Sequence, residues 1–190
     1  MKTFMYLASV AAVTLAASAA QGAIVQYAAS LNGPSESPPN QSPATGSATF
    51  AYDTDTHSLT ISIIFSGLVG TTTVAGVHAG TVLSPGNQTS GVAYFMDGWA
   101  TGLQSGSYTS TIDLLSPASY NPEYLAAHGG TTASAAADLL AAMSNGRAYL
   151  NLRTTTYPGG EIRGFIYQVP APGMLALIGM CGVLTGRRRR

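Results

Sequence analysis

Cysteine is nearly missing from this chain: one thiol, Cys181, in 190 residues. One thiol closes no disulfide within a chain and supplies no cysteine-rich zinc site. Cys181 sits in an apolar run near the C-terminus, where it reads as a small apolar residue. No cysteine follows the N-terminal apolar stretch, which argues against an N-terminal lipid anchor. Charge is scarce as well, with Lys, Arg, Asp and Glu together making 8% of the residues. Half of the basic residues are the terminal Arg187, Arg188, Arg189 and Arg190. Only three histidines are present, His57, His78 and His128. A transition-metal site usually needs three or four converging ligands, so no metal or other cofactor is expected. No Gly-x-Ser-x-Gly elbow and no His-Glu-x-x-His motif occurs, and no catalytic residue is assigned.

The two ends read as addresses. Lys2 followed by the apolar Phe4 to Ala17 and by Ala17-Ser18-Ala19 or Ser18-Ala19-Ala20 has the three parts of a secretory signal peptide, taken as residues 1–22. At the other end, Val169-Pro170-Ala171-Pro172-Gly173 precedes an apolar run that closes on Gly186 and the four arginines. A helix from Gly173 to Gly186 spans roughly 21 Å, against a bilayer core of roughly 30 Å. It is a short anchor, helped by arginines that reach the headgroups. The alternative, a buried C-terminal helix, does not account for four terminal cations. The layout over residues 169–190 resembles the PEP-CTERM sorting signal of bacterial envelope proteins. Pro170 and Pro172 keep the two prolines of that pattern, and Ala171 replaces its glutamate. The resemblance implies transient inner-membrane anchoring, cleavage by an exosortase-like membrane enzyme, and delivery to the cell surface or extracellular matrix.

Without its ends the chain changes character. Arg147, Arg153 and Arg163 are then the only cations against eight acidic residues, a formal charge of −5. Such a body is a poor partner for nucleic acid, whose binding rests on phosphate neutralisation. Residues 23–168 suit one domain, rich in Ser, Thr, Gly and Ala, with solvent faces that carry hydroxyls.

Period-two alternation marks strands. Leu59, Ile61, Ile63 and Phe65 alternate with Thr60, Ser62 and Ile64, and pair as a hairpin with Gly46 to Tyr52 across Asp53 to Ser58. Ile24 to Leu31, Val74 to His78, Val92 to Met96, Ser107 to Leu114, Arg147 to Thr154 and Glu161 to Gln168 are further strands. Asn32 to Thr45, with four prolines, is a loop. Asn121 caps a short helix from Pro122 to His128. A second helix runs from about Ser134 to Met143, with Ala136, Leu139, Leu140 and Met143 on one face. The expectation is a mostly β fold: a Greek-key, immunoglobulin-like β-sandwich with a short helical insertion, plus terminal apolar helices.

Several clusters invite a functional reading. Asp53-Thr54-Asp55 lacks the glycine and distal glutamate of a calcium loop and reads as a hairpin turn. Tyr94, Phe95, Trp99 and Tyr108 make a carbohydrate platform only if they share an exposed surface; otherwise they are packing. Glu161 and Arg163, two apart on a strand, fall on one face and are expected to form a structural ion pair, with partner binding as the alternative.

An ordered set of short motifs resembles the CHRD domain, the module named after chordin. It runs Tyr27-x-x-x-Leu31-Asn32-Gly33, Glu36-x-Pro38-Pro39, Ala44-Thr45-Gly46, Ser66-Gly67-Leu68 and Val77-His78-Ala79-Gly80. It closes on Gly146 to Thr154 and on Pro158-Gly159-Gly160-Glu161-Ile162-Arg163-Gly164. His78, Asn151, Gly160, Glu161, Arg163 and Gly164 carry the family pattern. Two family histidines are replaced here, by Gly76 and by Arg153. The resemblance implies a secreted β-module without established catalysis, hence a non-catalytic binding or structural role, and does not name the ligand; for an exported module, envelope proteins or exopolysaccharide are the expected partners. The alternative is a divergent metal-dependent or hydrolytic enzyme on the same sandwich.

Overall fold

The computed structural model describes residues 22–80 and 90–170. The signal peptide, the tail residues Ala171, Pro172 and Arg187 to Arg190, and both expected terminal helices lie outside the described residues. Among the described residues no helix is long and apolar enough to cross a membrane.

Among the described residues nine strands form: β1 (Ile24–Asn32), β2 (Thr45–Asp53), β3 (Ser58–Ser66), β4 (Thr72–Ala79), β5 (Val92–Phe95), β6 (Gly106–Asp113), β7 (Ala148–Thr154), β8 (Ile162–Phe165) and β9 (Tyr167–Val169). Two helices, α1 (Pro122–Ala127) and α2 (Thr132–Ser144), fall between β6 and β7. Asn121 caps α1 through its side chain, as its sequence position suggests, and Thr131 caps α2 in the same way. On α2, Leu139 and Met143 are buried and Leu140 is half-buried.

The strands are antiparallel in the order β5-β4-β7-β8-β1-β2-β3-β6, with β9 also on β1. The expected mostly β fold with a short helical insertion is present, while the strand pairing does not reproduce the expected Greek-key sandwich. The hydrogen-bonded path is one open, curled sheet rather than two separate Greek-key sheets. The cause lies in residues 162–169, where one strand from Glu161 to Gln168 is expected. Residues up to Phe165 pair with β7, Ile166 is turned inward, and Tyr167 to Val169 pair with β1. One segment thus serves both halves, as strands do when they turn a corner between layers. The direct β1–β8 register is the single pair Asn32↔Arg163.

Burial closes the curl. Leu59, Ile61, Ile63 and Phe65 all point inward, beside Phe50 and Ala48 of β2. Ala75, Val77, Leu150, Leu152 and Ile162 line the inner face of the other half, and both sets belong to one apolar cluster. The outer face of β2, β3 and β6 carries Ser47, Thr49, Ser62, Thr109 and Thr111. Thr60 and Thr111 share a hydroxyl hydrogen bond of 2.9 Å across that face. The proline-rich loop holds a short 3-10 turn, Gly33–Ser35, whose start is capped by the Asn32 side chain.

Candidate functional site

The family-pattern residues gather where β7, β8 and the loop after β1 meet. Strand register sets two rows: His78, Tyr149 and Phe165 align across β4, β7 and β8, and Gly76, Asn151 and Arg163 align beside them. His78 stacks on Tyr149, with ring centres 4.7 Å apart and an 8° angle between planes. Its Nδ1 lies 2.8 Å from the Ser90 carbonyl oxygen. Burial, with Arg153 and Arg163 adding to it, holds the imidazole below its ordinary pKa despite that carbonyl. The neutral ring is then the Nδ1–H donor to Ser90.

Arg163 is 1% exposed. Its guanidinium carbon lies 4.5 Å from the centre of the Tyr149 ring and 5.4 Å from that of Phe165. Its Nε–H donates to the Ser35 carbonyl at 2.8 Å. The acidic neighbour is Glu36, with Oε2 4.0 Å from Nε. The expected Glu161–Arg163 pair is therefore corrected. Glu161 precedes the regular part of β8 and follows Gly160 at φ 146°, so alternation along a strand does not govern its direction. Its carboxylate turns into a socket of its own.

That socket is fully occupied. Oε1 accepts from Val69 N–H at 2.6 Å and Ser42 Oγ at 2.7 Å. Oε2 accepts from Thr154 Oγ1 at 2.7 Å and Gly70 N–H at 3.1 Å. Burial pushes this carboxyl upward, but the four donors outweigh it and hold the pKa below its usual value. Glu161 so ties the loop after β1, the β3–β4 connection and β7 to one point.

Asn151, 5% exposed, donates through Nδ2 to the Gly159 carbonyl at 3.3 Å and, at a long 3.5 Å, to Glu36 Oε2. Glu36 is pushed up to about 7 by burial, against the pull of Arg163, the Ser37 amide and Arg153. Gly160 lies against both side chains: a Cβ there would stand 2.5 Å from Glu36 Oε1 and 2.6 Å from Asn151 Nδ2. At Gly164 a Cβ would collide with the Ser30 carbonyl, because β8 and β1 approach closely at the joint.

The other sequence candidates stay apart. His57, in the β2–β3 turn, meets Tyr52 Oη at 2.9 Å. His128 stacks on Tyr124 at 3.8 Å. Among the described residues no three His, Cys, Asp or Glu side chains gather as a metal site would require. Asp53 Oδ1 accepts from the Asp55 and Thr56 amides, the hairpin-turn role expected of it. The four aromatics do not share one open surface: Tyr94 is buried, Trp99 packs on Phe65 and Tyr108, and Phe95 is exposed. Pro170 is exposed just beyond β9. Sequence reasoning did not pair Glu36 with Arg163 or give Glu161 its donors. A lone charge in a proline-rich loop was the available hint for Glu36.

No curated protein and no solved structure matches the chain. A family model, the CHRD domain, matches residues 27–166. That span contains the whole buried cluster, so the chain belongs to the CHRD domain family.

Proposed function

We propose that this protein is an exported, non-catalytic module that works at the cell surface or in the extracellular matrix, as a binding or structural component. The observation that carries the reading is the use the fold makes of the family-pattern side chains. Arg163, Glu161 and Asn151 are each 5% exposed or less, and they bind the protein's own backbone and side chains. Reactive or ligand-binding groups stay reachable, whereas these act as internal ties. The family pattern then encodes a scaffold, and the partner meets the outer faces. Envelope proteins and exopolysaccharide are the partners that fit an acidic, hydroxyl-covered exported domain. The sequence of both ends supports the route: a signal peptide, then a tail from Pro170 to Arg190 that anchors transiently and is cut by an exosortase-like membrane enzyme.

The test is fractionation of the native host with intact-mass measurement. The reading expects a surface or secreted species that lacks both ends. An intact tail retained in the inner membrane overturns the sorting step. A binding screen against host exopolysaccharide and envelope proteins addresses the partner. Stoichiometric metal on the purified domain, lost on replacing His78, overturns the non-catalytic reading in favour of a metal enzyme.

A further inference from the structure

Two buried oxygens in the cluster at the sheet corner have no hydrogen-bond partner: Glu36 Oε1 and Asn151 Oδ1. Both side chains are 5% exposed. Both oxygens are within 2.7 Å of one point, the place a Cβ on Gly160 would take. Two buried acceptors beside the same point, neither with a donor, is a costly arrangement away from water. The remaining atoms of the same groups already meet, since Asn151 Nδ2 donates to Glu36 Oε2.

We propose that Glu36 is held as a neutral acid whose Oε1–H donates to Asn151 Oδ1, closing an acid–amide ring that latches the loop of residues 33–42 onto β7. One proton satisfies both orphan oxygens. The ring then has two complementary hydrogen bonds, one from the amide to the acid and one from the acid to the amide. The charged groups facing Glu36 are consistent with this state. Arg163, from β8, approaches only to 4.0 Å through Nε, and that N–H is already given to Ser35. Its guanidinium also lies over the Tyr149 and Phe165 rings, and its pull on Glu36 is outweighed by burial. Arg153, from β7, is the second cation acting on Glu36, and the Ser37 amide is the remaining donor. His78, on β4, sits beyond Tyr149 and is neutral. Glu161 points into its separate socket.

Loss of the proton replaces the donor with a carboxylate oxygen facing Asn151 Oδ1, and the latch opens. The other ties of the loop are Asn40 Nδ2 to the Gly160 and Glu161 carbonyls, the Ser35 carbonyl to Arg163 Nε–H and Ser42 Oγ to the Glu161 carboxylate, whose pKa is depressed, so none is lost as Glu36 ionises. Opening is therefore local to the loop and does not unfold the sheet. The reading is independent of the proposed export and binding role.

Carbon-13 NMR of the glutamate carboxyls tests it directly. The chain has three glutamates, Glu36, Glu123 and Glu161, and Glu123→Gln removes the exposed one for assignment. The Glu36 carboxyl is expected to titrate near 7. Hydrogen exchange of the amides of residues 33–42, corrected for the intrinsic pH dependence, should lose roughly tenfold or more protection across the same midpoint. Glu36→Gln keeps both hydrogen bonds through its amide, so its protection should not change with pH. A Glu36 carboxyl titrating near 4 overturns the proposal in the unmodified protein, whether or not the variant folds. So does wild-type protection that is flat from pH 5 to 9.

Discussion

Replacing Glu161 with glutamine changes one oxygen to an NH2 group and leaves the volume of the side chain alone. Its effect should still be large, because every lone pair at this site has a donor aimed at it. Ser42 and Thr154 can turn their hydroxyls to accept from the new amide. The Val69 and Gly70 N–H groups belong to the backbone and cannot turn. Whichever way the amide is placed, one of these N–H groups faces an N–H and loses its acceptor. The looser contact is Gly70 at 3.1 Å, so the amide should point there and keep the 2.6 Å bond from Val69. Hydrogen bonds to a charged group contribute about 1.5–3 kcal/mol each, and an unsatisfied buried donor costs about 1–3 kcal/mol. The expected destabilisation is about 3–5 kcal/mol. At about 2–4 °C per kcal/mol for a domain of this size, Tm should fall by roughly 10–15 °C. Urea denaturation at pH 7, followed by far-ultraviolet circular dichroism, measures it. Glu123→Gln, exposed in the first turn of α1, is the control and should stay within about 0.5 kcal/mol. A Glu161→Gln protein within about 1 kcal/mol of the wild type would show that the socket donors have other acceptors, and the argument would fail.

The same carboxylate sets an acid limit. Its folded pKa is depressed, so its contribution is present above the unfolded value of 4.5 and is lost as pH falls through the folded value; thermal scans below pH 4.5 should show it. Glu36 has the opposite sign. Its raised folded pKa gives stability that is complete below 4.5 and lost as pH rises through about 7, so Glu36→Gln should remove that part of the pH dependence in urea titrations. His78, held below 6.5 by burial, should titrate with a midpoint below 6.5 in proton NMR, and a midpoint above that value would contradict its buried stacking. Gly160→Ala combines a φ of 146° with a Cβ 2.5 Å from Glu36 Oε1, and a loss of about 3 kcal/mol or more is expected by calorimetry.

Much of the local structure was legible because it depends on near neighbours. The inward set Leu59, Ile61, Ile63 and Phe65 follows from period-two alternation, and all four are buried. The Asn121-Pro122-Glu123 run starts α1 because a cap side chain and a proline at the first position act within one turn. The break at Ile166 was not legible. The run from Glu161 to Gln168 holds no proline and suits one strand, and only the presence of β7 and β1 on either side divides it. The Glu161–Arg163 pairing failed for a related reason. Alternation holds within a strand, and Gly160 releases the residue after it from that rule.

The sequence by itself determined the strand and helix segments, the acidic and cysteine-poor character of the body, and the ordered motifs of a CHRD domain. These are properties of spacing and composition. Only the tertiary structure decided that the strands form one curled sheet and that Glu36, from a proline-rich loop, neighbours Arg163, which is 127 residues away in the chain. It also decided that Glu161 collects four donors from three separate segments. Those outcomes depend on which backbones meet at the sheet corner, and the energies involved are large because the groups are removed from water there.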